Sequence, residues 1–302
     1  MEEGRPSATS MLAAMSRASH LFLDGEPKVL RDELALHFSG AENEAALRTT
    51  LDTLWTETAR RTDPEFAHSV LNFYRAFVTM RHRYAEDELE KAFARGVREY
   101  VILGAGLDSF AYRQPDFTSA LRVFEVDHPA TQQWKRVRLH ELNVALPSNL
   151  TFVPVDFEQQ TLAAELQASG HRPELPTFFS WLGVTQYLTE EAIFETLRVV
   201  ANGAPGSEIV FEYSLRETLL DEMSRRMLAA FKANSAARGE PWLSLFEPAS
   251  LAGRLKDVGF TETEDFGPEE ANARYFSGRT DGLQLRSPST THLMKARVGK
   301  AT

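Results

Sequence analysis

The sequence predicts an α/β domain: a doubly wound, mostly parallel sheet with an antiparallel closing pair, preceded by a helical N-terminal cap. Three observations carry that expectation. Residues 10–93 read as helix, with Gly and Pro sparse. From Glu99 onward short apolar runs alternate with segments of helical period. The early runs end in Gly or Asp, as strands do where they turn toward a ligand crevice.

In the cap, Leu30, Leu34 and Phe38 recur at four-residue spacing, as do Leu47 and Leu51, so each set forms one face of a helix. Five strands follow from the runs Tyr100-Val101-Ile102-Leu103, Val123-Phe124-Glu125-Val126, Phe152-Val153-Pro154-Val155, Phe178-Phe179-Ser180-Trp181-Leu182 and Ile209-Val210-Phe211-Glu212-Tyr213. Helical stretches at 130–142, 162–168 and 190–200 separate them, and that alternation predicts parallel pairing with helices on the faces. Leu215, Leu219, Leu220, Met223, Met227 and Phe231 keep one face at helical spacing, expected to turn to the core; its thioethers would also suit an adaptable pocket wall. Segments 273–276 and 291–298, around the turn-rich 277–289, predict the closing hairpin. No repeat or linker interrupts the chain. Residues 1–95 are therefore expected to be a cap of the same domain as the core at 96–302, with a substrate-covering insertion near 214–250.

Composition narrows the function classes. With 33 basic against 43 acidic side chains the formal net charge is -10, so long-range attraction to nucleic acid or anionic lipid is not expected. The absence of Cys removes disulfides, thiolate metal sites and cysteine nucleophiles. The start, Met1-Glu2-Glu3-Gly4-Arg5, is acidic where an export signal is basic, and no window approaches the ~20 apolar residues of a spanning helix. A cytoplasmic protein is expected. No metal-protease, nucleophile-elbow or phosphate-loop motif is present.

The most informative stretch is Val101-Ile102-Leu103-Gly104-Ala105-Gly106-Leu107-Asp108-Ser109, a strand running into a Gly-bracketed turn. Glycine there permits positive φ and close approach of a ligand to the backbone. A dinucleotide site also begins this way, but its fingerprint wants a third Gly where Ser109 stands, and Phe110-Ala111-Tyr112-Arg113 adds bulk at the helix entry. The second strand ends in Asp127, placed to accept from both ribose hydroxyls. The third ends in Asp156-Phe157, an acid for an adenine amino group and a ring to pack on the base. Each acid alone reads as well as a helix cap or turn residue. A Gly-x-Gly turn followed by acids after strands two and three is the layout for an adenosyl ligand without pyrophosphate.

At this point the chain resembles the bacterial O-methyltransferases related to leucine carboxyl methyltransferase, including polyketide-type enzymes. The resemblance lies in VILGAGLDSFAYR at 101–113, VFEVDHP at 123–129, VPVDF at 153–157 and GVTQYL at 183–188, with Lys135-Arg136 in keeping, over roughly residues 10–215. It implies a Rossmann-like methyltransferase sheet that binds S-adenosyl-L-methionine at Gly104, Ala105, Gly106, Asp127, Asp156 and Phe157. It further implies that Arg81, within Met80-Arg81-His82-Arg83-Tyr84, holds the cofactor carboxylate, with Arg83 the fallback and a solvated helix-face Arg the plainer reading. One departure stands out: family members commonly carry Glu-Gly where this chain has Leu182-Gly183, and a main-chain carbonyl near Ser180 or another acid must replace that Glu, or affinity falls.

A sulfonium methyl is already activated, so alignment and exclusion of water suffice, and no catalytic residue is assigned. A carboxylate acceptor is ionised and needs no base, whereas a hydroxyl benefits from one. His128 more readily caps the next helix. Gln186, Tyr187 and Tyr213 follow the fourth and fifth strands, where the methyl should point. Selectivity for a small-molecule acceptor is expected from His20-Leu21-Phe22-Leu23 and Trp242-Leu243-Ser244-Leu245-Phe246. The alternatives are an adenosyl-binding regulator without turnover and a nicotinamide-dependent oxidoreductase.

Overall fold

The computed structural model describes residues 7–113, 116–157 and 159–299; the acidic start at Met1–Arg5 lies outside the described residues. Four helices come first: α1 (Ala8–Leu23), α2 (Leu34–Phe38), α3 (Glu44–Arg61) and α4 (Pro64–Ala94). The long α4 shows why its ends fall where they do. Asp63 accepts from Phe66 N and Pro64 occupies the first turn, where its missing N–H costs nothing. At the other end Gly96 takes φ +103°, and Gly96 N and Val97 N return to the carbonyls of Phe93 and Ala92, which satisfies the open last turn.

The core alternates β1 (Glu99–Leu103), α5 (Phe110–Arg113), β2 (Arg122–Asp127), α6 (Pro129–Glu141), β3 (Leu150–Pro154), α7 (Leu162–Ala168), β4 (Thr177–Trp181), α8 (Glu190–Ala201) and β5 (Glu208–Ser214). Then follow α9 (Glu222–Ala236), α10 (Pro248–Asp257), β6 (Glu262–Phe266), α11 (Pro268–Ala271) and β7 (Thr291–Arg297). The seven strands form one sheet in the order β3-β2-β1-β4-β5-β7-β6. Pairings among β1 to β5 are parallel, while β7 runs antiparallel to both β5 and β6. The chain reverses its direction of winding between β1 and β4, and that switch point opens a crevice at their carboxyl ends.

β1 is buried on both faces, and its side chains alternate between two cores. Tyr100 and Ile102 join a core with Ala76, Phe77, Met80 and Tyr84 of α4, whereas Val101 and Leu103 join one with Leu166 of α7, Ile193 and Leu197 of α8 and Leu255 of α10. The helical preface, through α4, thus supplies part of one cover of the sheet, with Phe110, Phe231 and Phe276 from later elements in the same core. Among the described residues, no helix is long and apolar enough to cross a membrane, and no group of three or more His, Asp or Glu side chains is placed to hold a metal ion.

Two expectations need correction. The closing pair is β6 with β7, not segment 273–276 with β7: Asn272–Phe276 is a π-helical turn that buries Phe276. The aromatic, strand-like text there was misleading because its burial comes from helix packing, while β6 (Glu-Thr-Glu-Asp-Phe) is a mostly exposed edge strand with little apolar signal. The face from Leu215 to Phe231 is not one helix either. Leu215 pairs with Phe246, and Leu219 lies in a short 3-10 turn with 41% of its surface exposed. Helix α9 starts only after Asp221, whose side chain accepts from Ser224 N; Met227 and Phe231 then do enter the core.

Candidate active site

The crevice at the switch point holds a first cavity, about 1090 Å³ including its open mouth. Its floor is the turn after β1. Gly104 (φ +63°) and Gly106 (φ +46°) both need the left-handed region, and a Cβ on Gly104 would fall 2.5 Å from Val184 Cγ2. Ala105 N donates to Val126 O, and Asp108 N closes the turn onto Ala105 O at 2.7 Å. Asp127 then clamps the turn, accepting from Gly106 N on one oxygen and from His128 N (2.6 Å) on the other. Burial pushes its carboxyl up from the ordinary range, against those two N–H bonds.

Of the residues expected to bind the adenosyl cofactor, Arg81, Gly104, Ala105, Gly106, Asp127 and Phe157 all line this cavity. Asp156 does not: Gln159 Nε2 donates to its carboxylate at 2.8 Å. Phe157 stands at the rim with 61% of its surface exposed. His128 caps α6 through its ring nitrogen, and Lys135 is buried against Glu125 at 2.7 Å, so it braces β2 and makes no part of the cavity wall.

Ser109, conspicuous as the missing third glycine, has a partner in the cap. Its hydroxyl donates to Asp32 at 2.6 Å and accepts from Arg113 Nε at 2.9 Å. Arg17 of α1 pairs with Asp32 at 2.7 Å and donates to Leu107 O at 2.6 Å. Arg17 and Asp32 are both buried. Burial alone would raise the Asp32 carboxyl, but Arg17 and Arg113 hold it below its ordinary value. His82, beside Arg17, is driven far down by burial and the neighbouring guanidinium groups, so its ring is neutral. Buried ions of this kind hold together only as a set, and the set fixes α1 across the glycine turn, with Ser10 and Ala13 forming the cavity roof.

Arg81 lies at the inner end. Its guanidinium rests on Gly183, where a Cβ would stand 3.1 Å from Nη2, and Nη1 donates to Glu212 at 2.6 Å. The pair is nearly enclosed, and Arg81 Nε has no partner among the described residues. Leu182 does line the cavity, as an apolar wall. The acid brought to this spot is Glu212, a residue the sequence reading passed over. Its signal was a charge inside a strand whose seven residues are all buried.

A second cavity, about 660 Å³ with its mouth, adjoins the first and shares Thr9, Ala13, Arg81, Gly183 and Tyr187 with it. Its walls include Phe73, Tyr74 and Phe77 of α4 and Phe231 of α9, with Trp242 and Gln186. From the segments expected to cover the mouth, Trp242 takes part and His20 does not. His20 is buried, its Nδ1 against Asp24 and its Nε2 accepting from Val29 N, so an earlier turn of α1, with Leu12 and Ala13, forms the wall instead. Tyr213 is also elsewhere, its hydroxyl donating to Asp265 at 2.6 Å.

Known proteins match this geometry. The family model for leucine carboxyl methyltransferase covers residues 10–201. A Bacillus subtilis protein named as an S-adenosyl-L-methionine-dependent methyltransferase, YktD, is 32% identical over 295 residues, 94% of this chain and 95% of the relative. A Frankia alni protein of the same description is 32% identical over 265 residues, 87% of this chain and 84% of its own length. In fold, the chain is similar to a Thermobifida fusca protein described as a methyltransferase (TM-score 0.59, 14% identity, 99% and 97% covered). It is also similar to a Streptomyces avermitilis DUF574 protein (TM-score 0.57, 14% identity, 98% of each chain). With more than half of its length under the family model and its glycine turn, Asp127 and Arg81 set around one cavity, the chain belongs to the leucine carboxyl methyltransferase family of S-adenosylmethionine-dependent methyltransferases.

Proposed function

We propose that the protein methylates an oxygen, of a carboxylate or a hydroxyl, on a small molecule seated in the second cavity. The observation that carries this reading is the shared wall at Arg81, Gly183 and Tyr187, which puts an aromatic-lined cavity against the methionine end expected of the first. The chain's own residues fit the cofactor: a glycine turn at positive φ in the cavity wall, an Arg81 Nε without a partner among the described residues, and an exposed ring at Phe157. When bound, S-adenosylmethionine supplies an activated methyl, which leaves sulfur as the new C–O bond forms; the C–S electron pair stays on sulfur.

Asp127 would accept from the ribose hydroxyls and Phe157 would cover the base. Arg81 and Glu212, a cation and an anion side by side, are complementary to the carboxylate and ammonium of an amino-acid end, so Glu212 answers for the acid that Leu182 lacks. Glu212 is also the carboxylate in the wall of the second cavity and the nearest resting place for a hydroxyl proton. A small acceptor agrees with the formal charge of -10, which disfavours nucleic acid and anionic membranes.

Calorimetry with S-adenosylmethionine, S-adenosylhomocysteine and NAD tests the cofactor, and a labelled-methyl assay over phenols and carboxylic acids tests the reaction. Binding of both adenosyl ligands with label transferred to oxygen is expected. NAD binding without an adenosyl signal overturns the reading, and binding without transfer to any acceptor makes the protein a regulator.

A further inference from the structure

Residues in the wall of the second cavity carry buried polar atoms left unsatisfied among the described residues. Nine buried side-chain nitrogen or oxygen atoms lack a hydrogen-bond partner among the described residues, and three of them, Arg81 Nε, Gln186 Oε1 and Trp242 Nε1, belong to residues in the wall of this one cavity. Arg81 is accounted for by the cofactor reading. The other two are neutral and opposite in kind: an indole N–H that can only donate and an amide oxygen that accepts. Leaving such groups dry and unpaired is costly, so their clustering calls for a partner that is absent from the chain itself.

Both groups are held in place. Gln186 is 6% exposed, in the 3-10 turn Thr185–Tyr187. The segment bearing Trp242 is tied to that turn by Leu243 N donating to Gln186 O at 2.7 Å and by Ser244 Oγ donating to Leu188 O. The indole sits edge-on to Tyr187 with ring centroids 6.5 Å apart, and 6.3 Å from Phe231. Phe73, stacked on Phe77 at 5.2 Å, completes an aromatic slot. Glu212 neutralises Arg81 at 2.6 Å, and the other charged residue of the wall, Arg238, is exposed. A carboxylate placed against Gln186 Oε1 would set acceptor against acceptor, whereas a neutral group with an N–H or O–H beside its acceptor satisfies both side chains.

We infer that the methyl acceptor is a flat, uncharged aromatic molecule carrying a hydrogen-bond acceptor beside a hydrogen-bond donor, read by Trp242 Nε1–H and Gln186 Oε1 respectively. This rests on the proposed methyltransferase reading and narrows it: the methylated oxygen is a hydroxyl of a neutral molecule, not a carboxylate. Gln186 and Trp242 are specificity residues. Neither is assigned a part in the transfer itself.

The test is binding, independent of turnover, on the full chain saturated with S-adenosylhomocysteine. The probes are 2-naphthamide, which carries both groups, methyl 2-naphthoate, which only accepts, and the anion 2-naphthoate. The amide is expected to bind about tenfold tighter than either of the others, the worth of one buried hydrogen bond. Gln186→Met should bring the amide-to-ester ratio to about one while ester binding persists, and Trp242→Phe, which removes the bond to a carbonyl that both molecules carry, should weaken amide and ester alike and leave their ratio. The ligand-free unfolding midpoint of Gln186→Met should be unchanged or raised, because that variant removes an unsatisfied group from the empty protein; a lowered midpoint marks Gln186 as structural and overturns its role. The inference also fails if naphthoate binds best, if the three probes bind alike or not at all, or if Trp242→Phe leaves amide and ester binding unchanged. Absence of S-adenosylhomocysteine binding in the same titration breaks the methyltransferase reading instead.

Discussion

The two cavities share a wall at Arg81, Gly183 and Tyr187 but are built in different ways. The first rests on backbone: two glycines at positive φ, N–H groups clamped by Asp127, and a turn that follows β1 without a break. The second is made of side chains from α1, α4, α9, the turn after β4 and the loop around Trp242. A site made of backbone tolerates few substitutions and binds one ligand shape, whereas a site made of side chains can be respecified by changing rings and amides. That difference suits an enzyme that keeps its cofactor and changes its acceptor.

The contrast can be broken most severely through the ion set under the first cavity. Arg17→Ala leaves Asp32 buried without its main partner, and stability should fall by about 3–5 kcal/mol, measured by urea unfolding. A loss below 1 kcal/mol would show that α1 is not pinned by these charges. Next comes Gly104→Ala, which combines roughly 1–2 kcal/mol of backbone strain with an overpacking cost of about 1–3 kcal/mol against Val184. Calorimetry should find S-adenosylhomocysteine binding abolished in that variant. Retained affinity would mean the turn is looser than its geometry.

Asp127→Asn should weaken S-adenosylhomocysteine by about 1–3 kcal/mol, roughly 5- to 150-fold, with little change in fold. Its pH dependence sharpens the point. The folded-state carboxyl is raised by burial, so wild-type affinity should begin to fall on acidification at a higher pH than an ordinary Asp would give, and the Asn variant should lack that fall. For stability the sign is opposite: a carboxyl raised on folding adds stability that is full below its unfolded value and is lost as pH rises through the folded one. Matching pH profiles for the two proteins would remove Asp127 from the site. The smallest effect belongs to Phe157→Ala. An exposed ring at a rim should leave stability within about 0.5 kcal/mol, and binding should weaken by about 1 kcal/mol if the ring packs on the base.

How much was legible in advance follows the same division. The strand runs, the glycine turn and Asp127 are local: each property depends on neighbours in sequence, on φ and on a strand end. Asp156 had the same local signature as Asp127, yet the chain turns it to Gln159 and away from the cavity wall. Segment 273–276 carried strand-like aromatics and became a π-helical turn, while the true edge strand β6 is charged and exposed. Periodicity reports burial of one face, and it cannot report which partner does the burying.

By itself, then, the sequence determined the α/β class, the order of the first five strands and helices, and the glycine turn after β1, because each is encoded in contiguous residues. Only the tertiary structure decided that Ser109 would hold Asp32, 77 positions away, that Glu212 would meet Arg81 across 131 positions, and that Gln186 and Trp242 would share one cavity wall, each with a polar atom unpartnered among the described residues. Those pairings depend on the sheet order and on the crossing of α1 and α4 over it. Long-range contacts of that kind leave no period in the chain, only isolated polar residues in apolar surroundings whose reason appears once the elements are packed.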